Sequence, residues 1–160
     1  MSRTISLAVF LALVTVAFAF GSSFEAGEWY YLKVDGPSWT PPGWLFGPAW
    51  AVFYVLMAVA AWETWETGHV DRLRAMAWWA LLLVLLPGWS VLFFGMHRPG
   101  WAWLELTLAL AAAVLSIKAF RPISSQGAYL MVPGVVWLLF FWVLQFLTWN
   151  MSGGPLDRFL

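Results

Sequence analysis

Five apolar runs, each close to the length that crosses a bilayer, limit most of what this chain can become. They cover residues 5–20, 44–65, 73–94, 101–120 and 128–150. A membrane helix needs about 20 predominantly apolar residues. Charged residues make up 10% of the chain and mean hydropathy is +0.78, whereas a soluble domain carries about 25% charged residues. The reading is an all-α integral membrane protein, a five-transmembrane-helix bundle forming one domain over residues 1–160. Net charge is zero, so nothing points to nucleic acid. Without cysteine there is no disulfide framework, thiol catalysis or thiolate metal site. His69 and His97 fall at loop positions, and no second His, Asp or Glu stands at ligand spacing with them on a shared helix face, so no metal is expected.

The first run admits two readings. Arg3, an apolar core and Ala17-Phe18-Ala19 look like a signal peptide with a cleavage site. Alternatively the run extends to about residue 23 and stays as the first span. We take it as retained, because the segments that follow are themselves membrane spans.

The segment from 28 to 62 organises the rest. Gly36, Pro37, Pro41, Pro42 and Gly43 fall close together, and each proline fixes its φ and lacks an N–H donor. A stiff loop therefore feeds straight into the second helix. Trp29, Tyr30, Tyr31, Trp39, Trp44, Phe46, Trp50, Phe53 and Tyr54 crowd this junction. Rings at headgroup depth form an aromatic belt. A belt does not need a string of prolines to hold its rings in one geometry, so a lid over a cavity is the competing reading. Fourteen tryptophans in all are more than a belt alone explains.

Spacing supplies further candidates. Trp50, Phe53, Tyr54 and Met57 stand at i, i+3, i+4 and i+7 and share one helix face. The Tyr54 hydroxyl lies at membrane depth and needs a partner. Pro87-Gly88 interrupts the third helix. A proline there removes a backbone hydrogen bond and predicts a kink, which makes Trp89 and Phe93 candidates for a cavity wall. Trp137, Phe141 and Gln145 share a face of the fifth helix, and a buried amide seeks an interhelical or ligand partner. Glu105 lies one turn inside the fourth helix. A carboxylate within a span suggests function, but its position is close enough to the end to reach the interface, which is the reading preferred here. Ala109 with Ala113, and Ala112 with Ser116, allow close helix approach within the chain or across a dimer.

Arg3, Arg72, Arg74, Lys118 and Arg121 lie on one side of the predicted topology, and Lys33, Arg98 and Arg158 on the other. The positive-inside rule then puts the N-terminus in the cytoplasm and the aromatic loop outside.

The motifs resemble those of the TspO/MBR family, the tryptophan-rich sensory proteins related to the mitochondrial translocator protein. The likeness begins at Glu28-Trp29-Tyr30. It is densest at Pro37-Ser38-Trp39-Thr40-Pro41-Pro42-Gly43-Trp44, running on to Pro48, Trp50 and Tyr54. It resumes at Trp89-Ser90-Val91-Leu92-Phe93-Phe94-Gly95 and ends at Val132-Pro133 and Trp137. The resemblance implies a five-helix bundle, commonly a homodimer, with a ligand pocket under the loop joining the first two helices. It implies tetrapyrrole ligands such as protoporphyrin IX, or other lipophilic small molecules, and a multi-pass protein of a bacterial cell membrane. Trp29, Tyr30 and Trp39 become lid residues; Trp50, Tyr54, Phe93 and Trp137 become pocket residues. Leu86 and Leu82 stand where the family usually has Gln and Asn respectively, and Pro133-Gly134 where it has Pro-Tyr, so the pocket is more apolar than the family norm.

The expected function is a membrane receptor or carrier for a hydrophobic tetrapyrrole, with a regulatory or transport role and no cofactor beyond that ligand. Nothing forms a hydrolytic triad, metal site or phosphate loop. The one enzymatic alternative is photo-oxidation of a bound porphyrin, which the resemblance would assign to Trp50 and Trp137. A regulatory subunit with a vestigial pocket is the third reading.

Overall fold

A computed structural model describes residues 2–153; the polar tail beyond, with Arg158, lies outside the described residues. The apolar runs form the long helices α1 (Arg3–Ser22), α3 (Gly43–Glu66), α4 (Arg72–Ser90), α5 (Pro99–Phe120) and α6 (Ser125–Met151). With its π-turn extension to Gly95, α4 joins the other four as a helix long and apolar enough to cross a membrane. The protein is thus an integral, multi-pass helical bundle.

Local chemistry sets where the helices begin. Ser2 and Ser124 cap α1 and α6, accepting from the N–H groups of Ile5 and Gly127 at 3.3 and 3.0 Å. Pro42, in extended conformation, stops α3 from growing backwards. Gly68, with φ at 68°, turns the chain between α3 and α4, a conformation that favours glycine.

Around the bundle α1 packs on α3, α3 on α6, α6 on α5, α5 on α4, and α4 back on α1. The order is not that of the chain: α3 and α4, consecutive in sequence, mostly flank α1 rather than each other. The small residues Ala109, Ala112, Ala113 and Ser116 are fully buried inside this ring, so their close approach serves packing within the chain.

Two features depart from the sequence reading. The connecting segment contains a short helix, α2 (Glu28–Lys33), before its prolines begin. Glu28 in its first turn and Lys33 in its last complement the helix dipole. At the other departure, Pro87 sits within α4 and the backbone then widens into a π turn, Val91–Gly95. Met96 N–H donates to the Val91 carbonyl at 2.8 Å, five residues back. The helix thus runs on past the proline, as the sequence suggests, and the π turn is the feature the sequence did not signal.

Candidate functional site

A chamber of about 650 Å³ lies inside the bundle at the end covered by the segment between α1 and α3. Four transmembrane helices converge on it. The C-terminal parts of α1, α4 and α6 contribute Gly21, Ser90 and Thr148, and the N-terminal part of α3 contributes Gly43 and Phe46. Tyr54 and Leu86 lie deeper in the wall.

Rings build one continuous side. Phe93 stacks on Trp89 at 4.9 Å with planes 14° apart. Phe141 meets Trp89 edge to face at 4.8 Å, and Trp50 meets Phe141 likewise at 5.3 Å. Such pairs contribute about 1 kcal/mol each beyond area burial and hold the rings in place. The π turn aims Phe93 and Phe94 at the same region: Tyr30 in α2 packs edgewise on both, at 6.2 and 5.8 Å.

The roof is pinned at both ends. Trp29 stacks on His97 at 4.4 Å and 17°, and presents an edge to Phe93 at 5.7 Å. His97 adopts a left-handed φ of 55°, uncommon outside glycine, in the turn leading to α5. Further on, the Asp35 N–H donates to Ser152 Oγ at 2.9 Å, tying the lid to the C-cap of α6. Thr40 N–H and Oγ1–H both donate to the Pro37 carbonyl, at 2.9 and 2.6 Å, and fold the proline segment into a turn. Gly36 lies under that turn, where an added Cβ would come within 3.2 Å of Thr40 Oγ1.

The predicted site residues divide. Tyr30, Trp50, Tyr54, Trp89, Phe93, Phe141 and Gln145 line the chamber. Gln145 finds its interhelical partner, donating from Nε2 to the Pro99 carbonyl at 3.3 Å. Trp29, Trp39, Phe53 and Trp137 stand outside the lining. Trp29 is the latch on His97. Trp39 is half exposed and leans on Phe140 on the outer side of α6. Phe53 is buried against Gly134, in the space freed by a glycine where the family pattern has tyrosine. Trp137 lies behind Trp50, rings 6.2 Å apart and nearly perpendicular. Of the two leucines at family amide positions only Leu86 reaches the chamber; Leu82 is in the core. The rings at the junction divide: Trp44 is 72% exposed on the outer surface, while Tyr30 and Phe46 turn inward to the chamber.

Glu105 corrects its expected placement. Its carboxylate oxygens do not reach the interface; they are buried with no hydrogen-bond partner. They face α4, 3.2 Å from where a Cβ on Gly88 would stand, so the glycine after Pro87 makes room for this carboxyl group. Sequence reasoning also missed the contribution of α1. Phe18, Gly21 and Ser22 line the chamber, and a uniformly apolar helix offers no periodicity to reveal that face. Among the described residues that line the chamber, none carries a charged side chain. The lining offers ring faces, apolar surface and neutral hydrogen-bonding groups.

Residues 7–150 match the TspO/MBR family. The tryptophan-rich protein TspO of Archaeoglobus fulgidus is 37% identical over 142 residues, covering 88% of this chain and 92% of its own. That of Chlorobaculum tepidum is 34% identical over 149 residues, covering 89% and 92%. The human translocator protein is 31% identical over 139 residues, covering 84% and 82%.

Proposed function

The chain belongs to the TspO/MBR family, and on that premise we propose that it is a membrane receptor or carrier whose chamber takes a hydrophobic, flat, conjugated ligand of the protoporphyrin IX type. The observation that carries this reading is the run of packed rings from Phe93 through Trp89 and Phe141 to Trp50 along one side of the chamber. Flat aromatic surfaces are well suited to stacking on a macrocycle, and the chamber's volume lies within the roughly 300–1,000 Å³ typical of small-molecule sites. A lid already pinned at Trp29 and Asp35 reduces the ordering cost of binding. A relative named translocator protein supports a regulatory or transport role for the occupied chamber. The protein works as a homodimer in a bacterial cell membrane, with its N-terminus cytoplasmic and its lid outside.

The test is a titration of the purified protein with protoporphyrin IX, read by quenching of tryptophan fluorescence. Saturable quenching is expected, with affinity reduced in a Trp50→Ala, Phe141→Ala double variant that retains its helical content. Affinity unchanged in that variant would place the ligand elsewhere.

A further inference from the structure

We propose that the chamber exchanges its ligand sideways with the bilayer, through a seam between α1 and α3 whose threshold is Gly43 and Gly47, and not with water through the lid. The inference rests on the reading of the chamber as a site for a flat lipophile, and it adds the route by which such a ligand arrives.

Following the wall round locates the seam. Between α1 and α4 the wall is shut. A Cβ added to Gly21 would lie 3.5 Å from Pro87 and from Ser90 Oγ, and one added to Gly95 would lie 3.1 Å from the Phe24 ring. Between α3 and α6 rings shut it: Phe46 packs on Trp137 and Phe141, at 5.9 and 6.0 Å, and Trp50 on Phe141. Between α1 and α3 the pattern changes. Ser6 and Glu66 join them at the far end. Phe10 then meets Trp65 at 6.3 Å and, nearest the lid of these contacts, Phe18 meets Tyr54 at 5.5 Å. Beyond Tyr54 the same face of α3 runs through Trp50 to Gly47 and Gly43, at helical spacing. Both glycines line the chamber and both are exposed. A Cβ added to either would meet nothing within 4 Å. Ser22, at the end of α1, is likewise exposed and part of the lining.

Glycine weakens a helix relative to alanine. At Gly127 close packing accounts for it, since an added Cβ would lie 2.8 Å from the Ala60 carbonyl. At Gly43 and Gly47 no neighbour fills the space, and what their missing side chains leave is a slot. A flat macrocycle entering edge-on needs a slot only one ring thick. Lipid-facing residues flank it: Phe20 of α1 is 53% exposed and Trp44 of α3 is 72% exposed. A tryptophan at the end of a span sits at headgroup depth, so the slot opens at the margin of the hydrocarbon, where a lipophile is more concentrated than in water. The lid is pinned elsewhere, by Trp29 to His97 in the turn before α5 and by Asp35 to the C-cap of α6. It can stay docked while a ligand passes beneath its margin.

The chain has no cysteine, so Ser90→Cys puts a single thiol on the chamber wall. The full chain carrying it is reconstituted in phosphatidylcholine vesicles. It is labelled with pyrenylmaleimide, which partitions into the bilayer, or with a trimethylammonium methanethiosulfonate, which stays in water. Adding Gly47→Leu should slow the pyrenylmaleimide reaction about 10-fold, the overpacking cost of one leucine applied to the barrier. The reaction with the cationic reagent should be slow and unchanged. The leucine has open space in the native helix and a better helix propensity than glycine; Gly43→Leu tests the same threshold if helical content is lost. In the same vesicles, association and dissociation of protoporphyrin IX, followed by tryptophan quenching, should slow by one common factor with Kd unchanged. A pyrenylmaleimide rate unmoved by both leucines overturns the portal and leaves the tetrapyrrole reading standing. Slowed labelling without saturable binding of protoporphyrin IX keeps the portal and removes the tetrapyrrole reading.

Discussion

The two ends of the bundle are built on opposite rules. At the end away from the lid, small side chains bring the helices together. Ala60, Ala61, Ala75, Ala113 and Ser116 are fully or nearly fully buried there. Gly127 lies so close to α3 that an added Cβ would come within 2.8 Å of the Ala60 carbonyl. Polar groups at this end find partners. Ser6 Oγ donates to Glu66 at 2.6 Å, Arg3 lies 3.6 Å from the same carboxylate, and Trp62 donates to the Arg3 carbonyl at 3.1 Å. Deeper in, the Trp79 indole donates to the Met57 carbonyl at 3.0 Å. At the lid end, large rings prop the same helices apart, and the Trp89 and Trp137 indole nitrogens and the Glu105 carboxyl oxygens lack partners. The hollow thus follows from side-chain size and from the proline and π turn in α4. One end clamps the helices; the other keeps them separated around a space.

The contrast breaks most severely if the clamp itself is forced open. Gly127→Leu drives a branched side chain into α3, where Thr64 and Ala60 already fill the gap. Overpacking of this kind costs about 3 kcal/mol. The unfolding midpoint in detergent should fall by several degrees, while ligand affinity per folded molecule stays as in the wild type. An affinity loss as large as the stability loss would show that the two ends are not separable.

The reverse experiment acts on the hollow end. Trp50→Ala removes a ring from the chamber wall, and such an aromatic anchor contributes about 2 kcal/mol to binding, or roughly 30-fold. The ring borders an existing space, so the unfolding midpoint should fall less than for Gly127→Leu. Equal affinities of variant and wild type for protoporphyrin IX would remove Trp50 from the site.

How far each end could be read from sequence follows from the same contrast. The five spans and their approximate limits were legible because hydropathy needs no knowledge of neighbours. The lid side of the chamber was partly legible: prolines at 37, 41 and 42, the helical spacing of Trp50 and Tyr54, and the Pro87-Gly88 break are local signals. What α1 contributes was hidden, since every face of it is apolar and lipid and chamber present the same chemistry. Trp137 and Phe53 sit on the predicted inward faces, yet one packs behind Trp50 and the other into the space beside Gly134. Period tells which way a side chain points, not which of two rings arrives first. Glu105 shows the limit most plainly. Its distance from the helix end suggested the interface, and only the missing side chain at Gly88, on another helix, opens the inward position.

A smaller effect sharpens the polar side of the comparison. Ser6→Ala removes the hydrogen bond to Glu66, and a bond to a charged group contributes about 1.5 kcal/mol. Loss of stability of that order, with ligand affinity unchanged, is expected from parallel unfolding and titration measurements. A shift in affinity would mean that the clamp reaches the chamber.

The smallest effect concerns the lid. Burial of the Tyr30 phenol, and secondarily the neighbouring Tyr31, raise its pKa above the ordinary value of 10.0. The docked lid therefore holds the Tyr30 proton more tightly than a free segment does. Its contribution to docking is complete below about pH 10 and is lost as pH rises through the raised value, because the undocked state then releases the proton first. Ligand dissociation should accelerate as pH rises above about 10, and Tyr30→Phe, which keeps the ring against Phe93 and Phe94 but has no proton to lose, should flatten that rise. If the substituted protein shows the same acceleration, the lid is held by its other attachments, the Trp29–His97 stack and the Asp35–Ser152 hydrogen bond, and Tyr30 serves only as part of the wall.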